Sequence, residues 1–129
     1  MTAARARDAA AAPEHRNSVE LVGRVSAPAV ERVLPSGDPL VTFRLVIVRP
    51  DGRGGGGGDR KTYDTIDCLA WRGDVRRMVG GWQAGDVVEV SGALRRRFWR
   101  TDHGAESRTE VEVAAGRRLV KAAARQLSA

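Results

Sequence analysis

A recurring alternation of apolar and polar residues constrains the fold of this chain more than any other feature. Val19 and Leu21 share one side of an alternating run, which predicts a β-strand with one buried face. The same period of two returns in residues 40–48, 61–71, 87–99 and 108–115. Residues 29–34 fit a continuation of the first strand, and the Pro-Ser-Gly-Asp-Pro sequence at 35–39 predicts a turn. Five strands are therefore predicted, and the first two should form a hairpin.

One short helix is predicted between the third and fourth strands. Its apolar positions have the helical spacing i, i+3, i+4 and i+7: Val75, Met78, Val79 and Trp82. Asp74 is a candidate N-cap, and Gly80-Gly81 should end the helix. Three strands, a helix and two strands is the order of the OB-fold. We therefore predict an all-β, five-stranded OB-fold barrel over residues 17–120, between a flexible tail at 1–16 and a short tail at 121–129.

The stretch 92–99 predicts a strand with two different faces. Arg95, Arg97 and Trp99 fall on one side. Leu94 and Phe98 fall on the other side with Arg96 between them, in line with Val88 and Val90, so this second face is expected to enter the core. The first face offers guanidinium groups that attract phosphates and an indole on which a base can stack. This pattern favours single-stranded nucleic acid as a ligand, but an arginine-rich surface strand whose Trp covers a sheet edge is the open alternative.

The charge of the chain agrees with a polyanionic partner. The 129 residues carry a formal net charge of +6, although general solubility would explain such a balance equally well. If a nucleic acid binds, affinity should fall steeply with salt because phosphate contacts release counterions. The arginines expected to contact phosphate are Arg24, Arg44, Arg95, Arg97 and Arg100.

Other classes of function lack their residues. Cys68 is the only cysteine, so we interpret it as a small core residue, and we expect neither a metal nor a cofactor. Asp64 and Asp67 should point to opposite faces of one strand, so no catalytic carboxylate pair is predicted and the protein should not be an enzyme. The glycine run at 54–58 lacks the Lys-Ser/Thr ending of a P-loop and is expected to be a flexible hairpin tip. No apolar run suits a bilayer or a signal peptide, so a cytoplasmic, nucleoid-associated location without membrane contact is expected.

Several motifs resemble those of bacterial single-stranded DNA-binding proteins. Residues 17–24 resemble the opening strand of that family, and 68–72 resemble the end of its third strand in actinobacterial members. Gly85-Asp86, followed by 88–92 and 94–99, resembles its fourth strand, which typically has the pattern Gly-x-Leu-x-x-Arg-x-Trp. The resemblance extends from about Asn17 to Leu119.

The resemblance implies a function and a set of site residues. Members of the family have an OB-fold, bind single-stranded DNA with little sequence preference, lack enzymatic activity, act in DNA replication, repair and recombination, and usually form homotetramers. By position, Trp71 and Trp99 match residues that stack on bases. Arg95 and Arg97 match the basic residues beside the fourth-strand aromatic, and Tyr63 is a candidate substitute for a third-strand aromatic whose position is Thr65 here.

The chain also departs from the family pattern. Asp67 lies on the expected binding face, where a carboxylate repels phosphate unless an arginine pairs with it. Residues 127–129 do not resemble the family's acidic tip, so we expect a short paralogue that does not recruit repair enzymes through such a tail. An OB-fold adaptor that binds mainly protein and an RNA-binding protein remain the alternatives. Pairing of residues 19–24 across a two-fold axis would protect a sheet edge, with a tetramer favoured over a dimer.

Overall fold

The computed structural model describes residues 12–50 and 62–123. The glycine run at 54–58 and most of both predicted tails lie outside these residues. The strands and the helix, in chain order, are β1 (Val19–Val25), β2 (Val30–Val33), β3 (Pro39–Val48), β4 (Tyr63–Ala70), α1 (Gly73–Gly80), β5 (Val87–Thr101) and β6 (Gly104–Val120).

The strand pairings form a closed circuit. β1 pairs antiparallel with both β3 and β5, β5 pairs with β6, β6 lies parallel to β4, and β4 returns to β3. The five strands of this circuit are β1, β3, β4, β5 and β6. Together with the helix between β4 and β5, they confirm the predicted OB-fold. The expected continuation of the first strand is present but interrupted: residues 26–29 are not in a strand, and β2 then pairs with β3 at residues 39–42, next to the β1 pairs at 45–46. The turn between β2 and β3 is as predicted, and Gly37 in it adopts a φ of +94°.

The inner faces of the strands and of α1 form one hydrophobic core. Its buried members are Val25, Val41, Phe43, Leu45, Cys68, Ala70, Val75, Val79, Trp82, Val88, Val90, Val111 and Val113. The Trp82 ring meets the Phe43 ring edge to face, with the centroids 5.7 Å apart. Cys68 is a core residue, as predicted, and burial followed by the nearby charges of Asp67 and Glu110 raises its pKa to about 12. The thiol is therefore protonated at neutral pH.

The start of α1 differs from the prediction. The N-cap is Arg72, whose carbonyl accepts the first helical hydrogen bond from the N–H of Arg76 at 2.8 Å. The prediction that Asp74 is the cap is wrong, because Asp74 already lies in the first helical turn. Its carboxylate accepts the N–H of Val75 and forms an ion pair with Arg72. A carboxylate in this turn still has a favourable interaction with the helix dipole.

β5 and β6 form a long hairpin that extends past the closed part of the sheet. The alternation predicts strands only at 87–99 and 108–115, but both strands continue through the residues between them to a two-residue turn at 102–103. Thr101 Oγ1 accepts the N–H of His103 at 3.1 Å and donates to the carbonyl of Gly104, which has a φ of +117°. β1 pairs with β5 from Val87 as far as Gly92, and β4 pairs with β6 at Val111 and Glu112. Residues 94–111 therefore form a projecting two-stranded ribbon.

The projection of this ribbon overturns one expectation about the core. Val88 and Val90 are fully buried, but Leu94 and Phe98, on the same side of β5, are exposed. The alternation of side chains continues along β5, whereas the elements that would cover this side end near Gly92. The prediction that Leu94 and Phe98 enter the core is therefore wrong.

The root of the ribbon is fixed by a bulge and a side-chain clamp. The register between β5 and β6 shifts between Ser91 and Gly92, and a Cβ at position 92 would overlap the carbonyl group of Glu112. Two residues further on, Asn17 Nδ2 donates to the carbonyl of Leu94 at 2.7 Å, and Asn17 Oδ1 accepts the N–H of Leu94 at 2.8 Å. The Asn17 amide thereby continues the β1–β5 ladder by one pair.

Candidate nucleic-acid interface

An open groove of about 540 Å³ lies where β2, the outward face of β3 and β4, and one face of the ribbon meet. One end of the groove is apolar. Leu40 and Leu69 form part of its lining, and both are buried although they lie on the outward side of the sheet. Trp71, directly after β4, also lines the groove, and the Arg76 guanidinium of α1 donates to its carbonyl. The apolar end thus presents surface suited to the faces of bases.

The other end of the groove is charged and begins with a cross-strand pair. Arg44 and Asp67 lie opposite each other on β3 and β4, and Arg44 Nε donates to Asp67 Oδ1 at 2.9 Å. Both side chains line the groove. The structure thus supplies the arginine that Asp67 requires on a face that would meet phosphates.

The ribbon contributes a second arginine–carboxylate pair to the groove. Arg97 donates through Nε and Nη2 to the two carboxylate oxygens of Glu110, both at 3.2 Å. The Arg97 guanidinium also lies 5.2 Å from the centroid of the Trp99 ring. Glu110 is on the outward side of β6, but it is only 4% exposed. A buried carboxylate thus orients the arginine, and the arginine contacts the indole.

Arg95 lies on the same side of β5 as Arg97 and Trp99. Its Nε donates to Glu112 at 2.8 Å. We call the side formed by Arg95, Arg97, Trp99, Glu106, Arg108, Glu110 and Glu112 the groove face of the ribbon. Of the five arginines expected to contact phosphate, Arg44, Arg95 and Arg97 are therefore already paired with carboxylates.

Five of the sequence-predicted residues lie outside the groove lining: Arg95 and Trp99, which flank Arg97 on the same ribbon face, and Arg24, Tyr63 and Arg100. Arg24 is opposite Val46, and Tyr63 is opposite Val48, so both continue the outward sheet face beyond the Arg44–Asp67 pair. The Tyr63 ring is exposed. Arg100 is opposite Ala105 near the tip of the ribbon, on the side away from Arg97 and Trp99. Trp71, Trp99, Arg44 and the remaining ribbon arginines are the predicted residues that the fold brings together.

Two arginines of the groove were missed by the sequence analysis. Arg32 lines it from β2, and Arg108 lines it from β6, opposite Arg97. Within residues 12–50 and 62–123, neither forms an ion pair. Arg32 falls in residues 29–34, which were predicted only as a continuation of the first strand. Arg108 is the first residue of the predicted strand at 108–115. The position of Arg108 two residues before Glu110 could have indicated that both lie on the same face of the strand, because side chains two residues apart share a face.

The two carboxylates of β4 each form an ion pair with a different arginine. Asp64 is held by Arg49, whose hydrogen bond and charge lower the pKa of that carboxyl, whereas Asp67 is held by Arg44. In the described part of the chain, no group of three or more His, Cys, Asp or Glu residues is placed to hold a metal ion. The same residues include no helix long and apolar enough to cross a membrane.

Comparison with known proteins assigns this chain to a family. The Single-strand binding protein family matches residues 16–119, which is most of the chain. The chain therefore belongs to that family. Similar relatives include Single-stranded DNA-binding protein 3 of Listeria innocua, 30% identical over 88 residues, and Single-stranded DNA-binding protein A of Bacillus subtilis, 28% identical over 88 residues. The predicted actinobacterial subtype stays a prediction.

These alignments cover 68% of this chain and 53% and 49% of the two relatives, so the chain spans about half their length. Among solved structures, the Plasmodium falciparum SSB in complex with ssDNA matches with a TM-score of 0.66 and 20% identity. That match covers 84% of this chain and 97% of the other. At this identity the likeness establishes the shared OB-fold.

Proposed function

We propose that this protein binds single-stranded DNA without catalysis and with little sequence preference. The observation that carries the proposal is the groove itself, which joins the apolar floor and Trp71 to the charged ribbon face with Trp99. Stacking of a base on an indole contributes roughly 1–3 kcal/mol and tolerates any base. Guanidinium groups add an electrostatic attraction to phosphates, which weakens as the salt concentration rises. Tyr63 and Arg24 extend the binding face beyond the groove, on the same side of the sheet.

The family and the names of the relatives support this proposal. We further infer that the protein acts in DNA replication, repair or recombination in the cytoplasm, associated with the nucleoid. We also propose that the protein is a homotetramer, and the edge of β1 supports one pairwise contact between its subunits. This strand pairs with β3 only at Arg24 and Val25, so residues 19–23 have one side without a strand neighbour within the described chain. A second copy paired along that edge would satisfy its free N–H and C=O groups.

Tryptophan fluorescence tests the binding proposal directly. The chain has three Trp residues: Trp82 is buried in the core, Trp71 lines the groove, and Trp99 lies beside the groove in contact with Arg97. Titration with a thymine oligomer of about 35 nucleotides should quench the fluorescence, whereas a duplex of equal length should not. Quenching should disappear in the double variant Trp71→Phe, Trp99→Phe, which retains Trp82 as an internal reference.

The alternatives predict titration results that differ from those of the proposal. Equal binding of single-stranded and duplex DNA at low salt only, without quenching, would mean a basic surface without stacking and would contradict the proposal. An adaptor that binds mainly protein would give the same absence of quenching. Competition by a matched RNA oligomer measures selectivity for DNA, because stacking and phosphate contacts alone do not inspect the 2′-OH. If RNA binds more strongly than DNA, RNA and not DNA is the preferred ligand.

A further inference from the structure

The two faces of the projecting ribbon differ in charge. The groove face carries three arginines and three glutamates, so its formal charge is zero: Arg95, Arg97, Arg108, Glu106, Glu110 and Glu112. We call the opposite side the outer face; its β5 members are Leu94, Arg96, Phe98 and Arg100. Opposite these four stand the uncharged residues Val111, Thr109, Ser107 and Ala105. The outer face therefore has a formal charge of +2 and no carboxylate at any of these paired positions.

The outer face also has an aromatic ring that the fold leaves uncovered. Phe98 is 67% exposed, compared with 37% for Trp99 on the groove face. The Arg96 guanidinium lies 5.4 Å from the centroid of the Phe98 ring and donates to Ser107 Oγ at 3.2 Å. A hydroxyl does not neutralise a guanidinium, and within the described residues neither Arg96 nor Arg100 forms an ion pair. An exposed ring beside uncompensated arginines has the composition of a stacking and phosphate-binding surface.

The edge of β5 connects the two faces. β1 pairs with β5 only as far as Gly92, and the Asn17 side chain adds one pair at Leu94. Beyond this point, in the described chain, residues 95–101 have β6 as their only strand neighbour. Because successive side chains alternate, Phe98 and Trp99 are adjacent in sequence but lie on opposite faces. A flexible polymer that leaves the groove over Trp99 can therefore cross this open edge and reach Phe98.

We propose that the outer face of the ribbon is a second contact surface for the same single strand of DNA, which wraps from the groove around the edge of β5. Phe98 stacks on a base there, and Arg96 and Arg100 neutralise phosphates. The two arginines without carboxylate partners favour this occupant over a second copy of the chain, because the chain carries +6 and has no surplus of carboxylates to pair with them. This inference rests on the proposed function and adds a second segment of DNA to it.

Oligomer length separates the two contact surfaces. A thymine oligomer of about 8 nucleotides fits within the range bound by a single OB-fold, whereas one of about 35 nucleotides is long enough to continue around the ribbon. Phe98→Ala and Arg96→Gln should each weaken binding of the longer oligomer by roughly fivefold to tenfold and leave binding of the shorter one unchanged. Both residues are exposed, so the substitutions should not unfold the chain. Trp71→Ala is the matched control and should weaken binding at both lengths.

A gain of signal tests the contact itself. In the Trp71→Phe, Trp99→Phe background, Phe98→Trp should restore quenching by the longer oligomer but not by the shorter one. If Trp71→Ala weakens binding while the outer-face substitutions change nothing, the second surface is refuted and the proposed function stands. If the wild-type protein binds neither oligomer, the proposed function itself fails. If Phe98→Ala changes the sedimentation coefficient but not DNA affinity, the outer face contacts a second copy of the chain, and the proposal is overturned.

Discussion

Arg44 and Asp67 lie directly opposite each other on β3 and β4, and their side chains form an ion pair with 2.9 Å between Nε and Oδ1. The pair occupies the charged end of the groove, where a DNA backbone would pass. A guanidinium that is already held by a carboxylate attracts a phosphate less than a free one does. The ribbon repeats this arrangement in the Arg95–Glu112 and Arg97–Glu110 pairs. Two of the four arginines that line the groove, Arg44 and Arg97, are thus compensated by carboxylates, whereas Arg32 and Arg108 form no ion pair within the described residues.

Removing the carboxylate of this pair should strengthen DNA binding. Asp67→Asn preserves the shape of the side chain and frees the charge of Arg44. We expect affinity for a thymine oligomer to rise about fivefold at low salt, in line with the roughly 1 kcal/mol of a unit charge pair at about 4 Å in water. The slope of log K against log salt should steepen by up to about 0.7, the value for one added phosphate contact on a single strand. Glu20→Gln removes an equal charge outside the groove and should have little effect; equal effects of the two substitutions would mean that only net charge matters.

The unpaired arginines of the groove should carry the largest share of the salt dependence. Arg108→Gln and Arg32→Gln should each reduce the slope of log K against log salt by about 0.7, because each removes one contact that releases a counterion. Arg95→Gln should reduce it by less, since Arg95 is paired with Glu112 on the same ribbon face. Fluorescence titrations at several salt concentrations give these slopes. Equal slopes for Arg95→Gln and Arg108→Gln would show that the ion pairs open on binding.

Trp99 should contribute to the choice of single strands over duplex. Trp99→Ala is expected to weaken single-strand binding about tenfold, through the loss of one stacked base, and to leave duplex binding unchanged. Trp99→Phe should retain most of the affinity because a benzene ring still stacks and can still contact Arg97. Competition titrations with both DNAs measure the ratio. A parallel loss of affinity for single strands and duplex would assign Trp99 a structural role instead.

The alternation of apolar and polar residues was sufficient to predict on which side of a strand each side chain lies. Val41, Phe43 and Leu45 are buried where the alternation placed them, because a strand in a small barrel has one side toward the core. The same rule misplaced Phe98, since alternation defines a side but not where the covering elements end. That limit depends on where β1 stops pairing with β5, which is a long-range property of the fold.

The charged contacts of the groove were predictable only in part. The sequence indicated that Asp67 needs an arginine but not which one, because the partner follows from the β3–β4 register across 23 residues of chain. The alternation along residues 108–115 places Glu110 on the side opposite Val111, but the burial of Glu110 beside Arg97 depends on how β4 and the ribbon meet. Trp71 and Arg97 were found because their positions match a family motif. Arg32 has no such motif, and its role emerges only from the pairing of β2 with β3.

Gly92 should be required for the stability of the fold. A methyl group there would overlap the Glu112 carbonyl at the bulge where β5 and β6 cross closely, so backbone must shift to admit it. We expect Gly92→Ala to lower the free energy of unfolding by roughly 1–3 kcal/mol, as for other overpacked sites. Gly80→Ala is the matched control, since a Cβ at this last residue of α1 meets no atom within 4 Å and Ala favours the helix. Urea denaturation compares the two, and a Gly92→Ala protein as stable as Gly80→Ala would contradict the close approach.

Asp86 should make the stability of the protein dependent on acid pH. Burial alone would raise the pKa of this carboxyl, but the N–H groups of Gln83 and Ala122 and the Arg118 guanidinium outweigh it and hold the pKa below its ordinary value of 3.8. Because the folded-state pKa is depressed, the stabilisation is complete above about pH 5 and is lost as the pH falls through that folded value. These contacts also attach the chain at Ala122, just beyond β6, to the start of β5.

The substitution Asp86→Asn separates this contribution from those of other carboxylates. The variant should be less stable than the wild type at pH 7, by at least about 2 kcal/mol for hydrogen bonds to a buried charge, and the difference should shrink toward pH 3. Asp74→Asn is the control, since the hydrogen bond from Arg72 lowers the pKa of Asp74 too, but at an exposed site where solvent screens the charge. Denaturation midpoints between pH 3 and 7 give both profiles. If the two variants have the same pH profile, the buried contacts of Asp86 do not stabilise the fold beyond an ordinary surface ion pair.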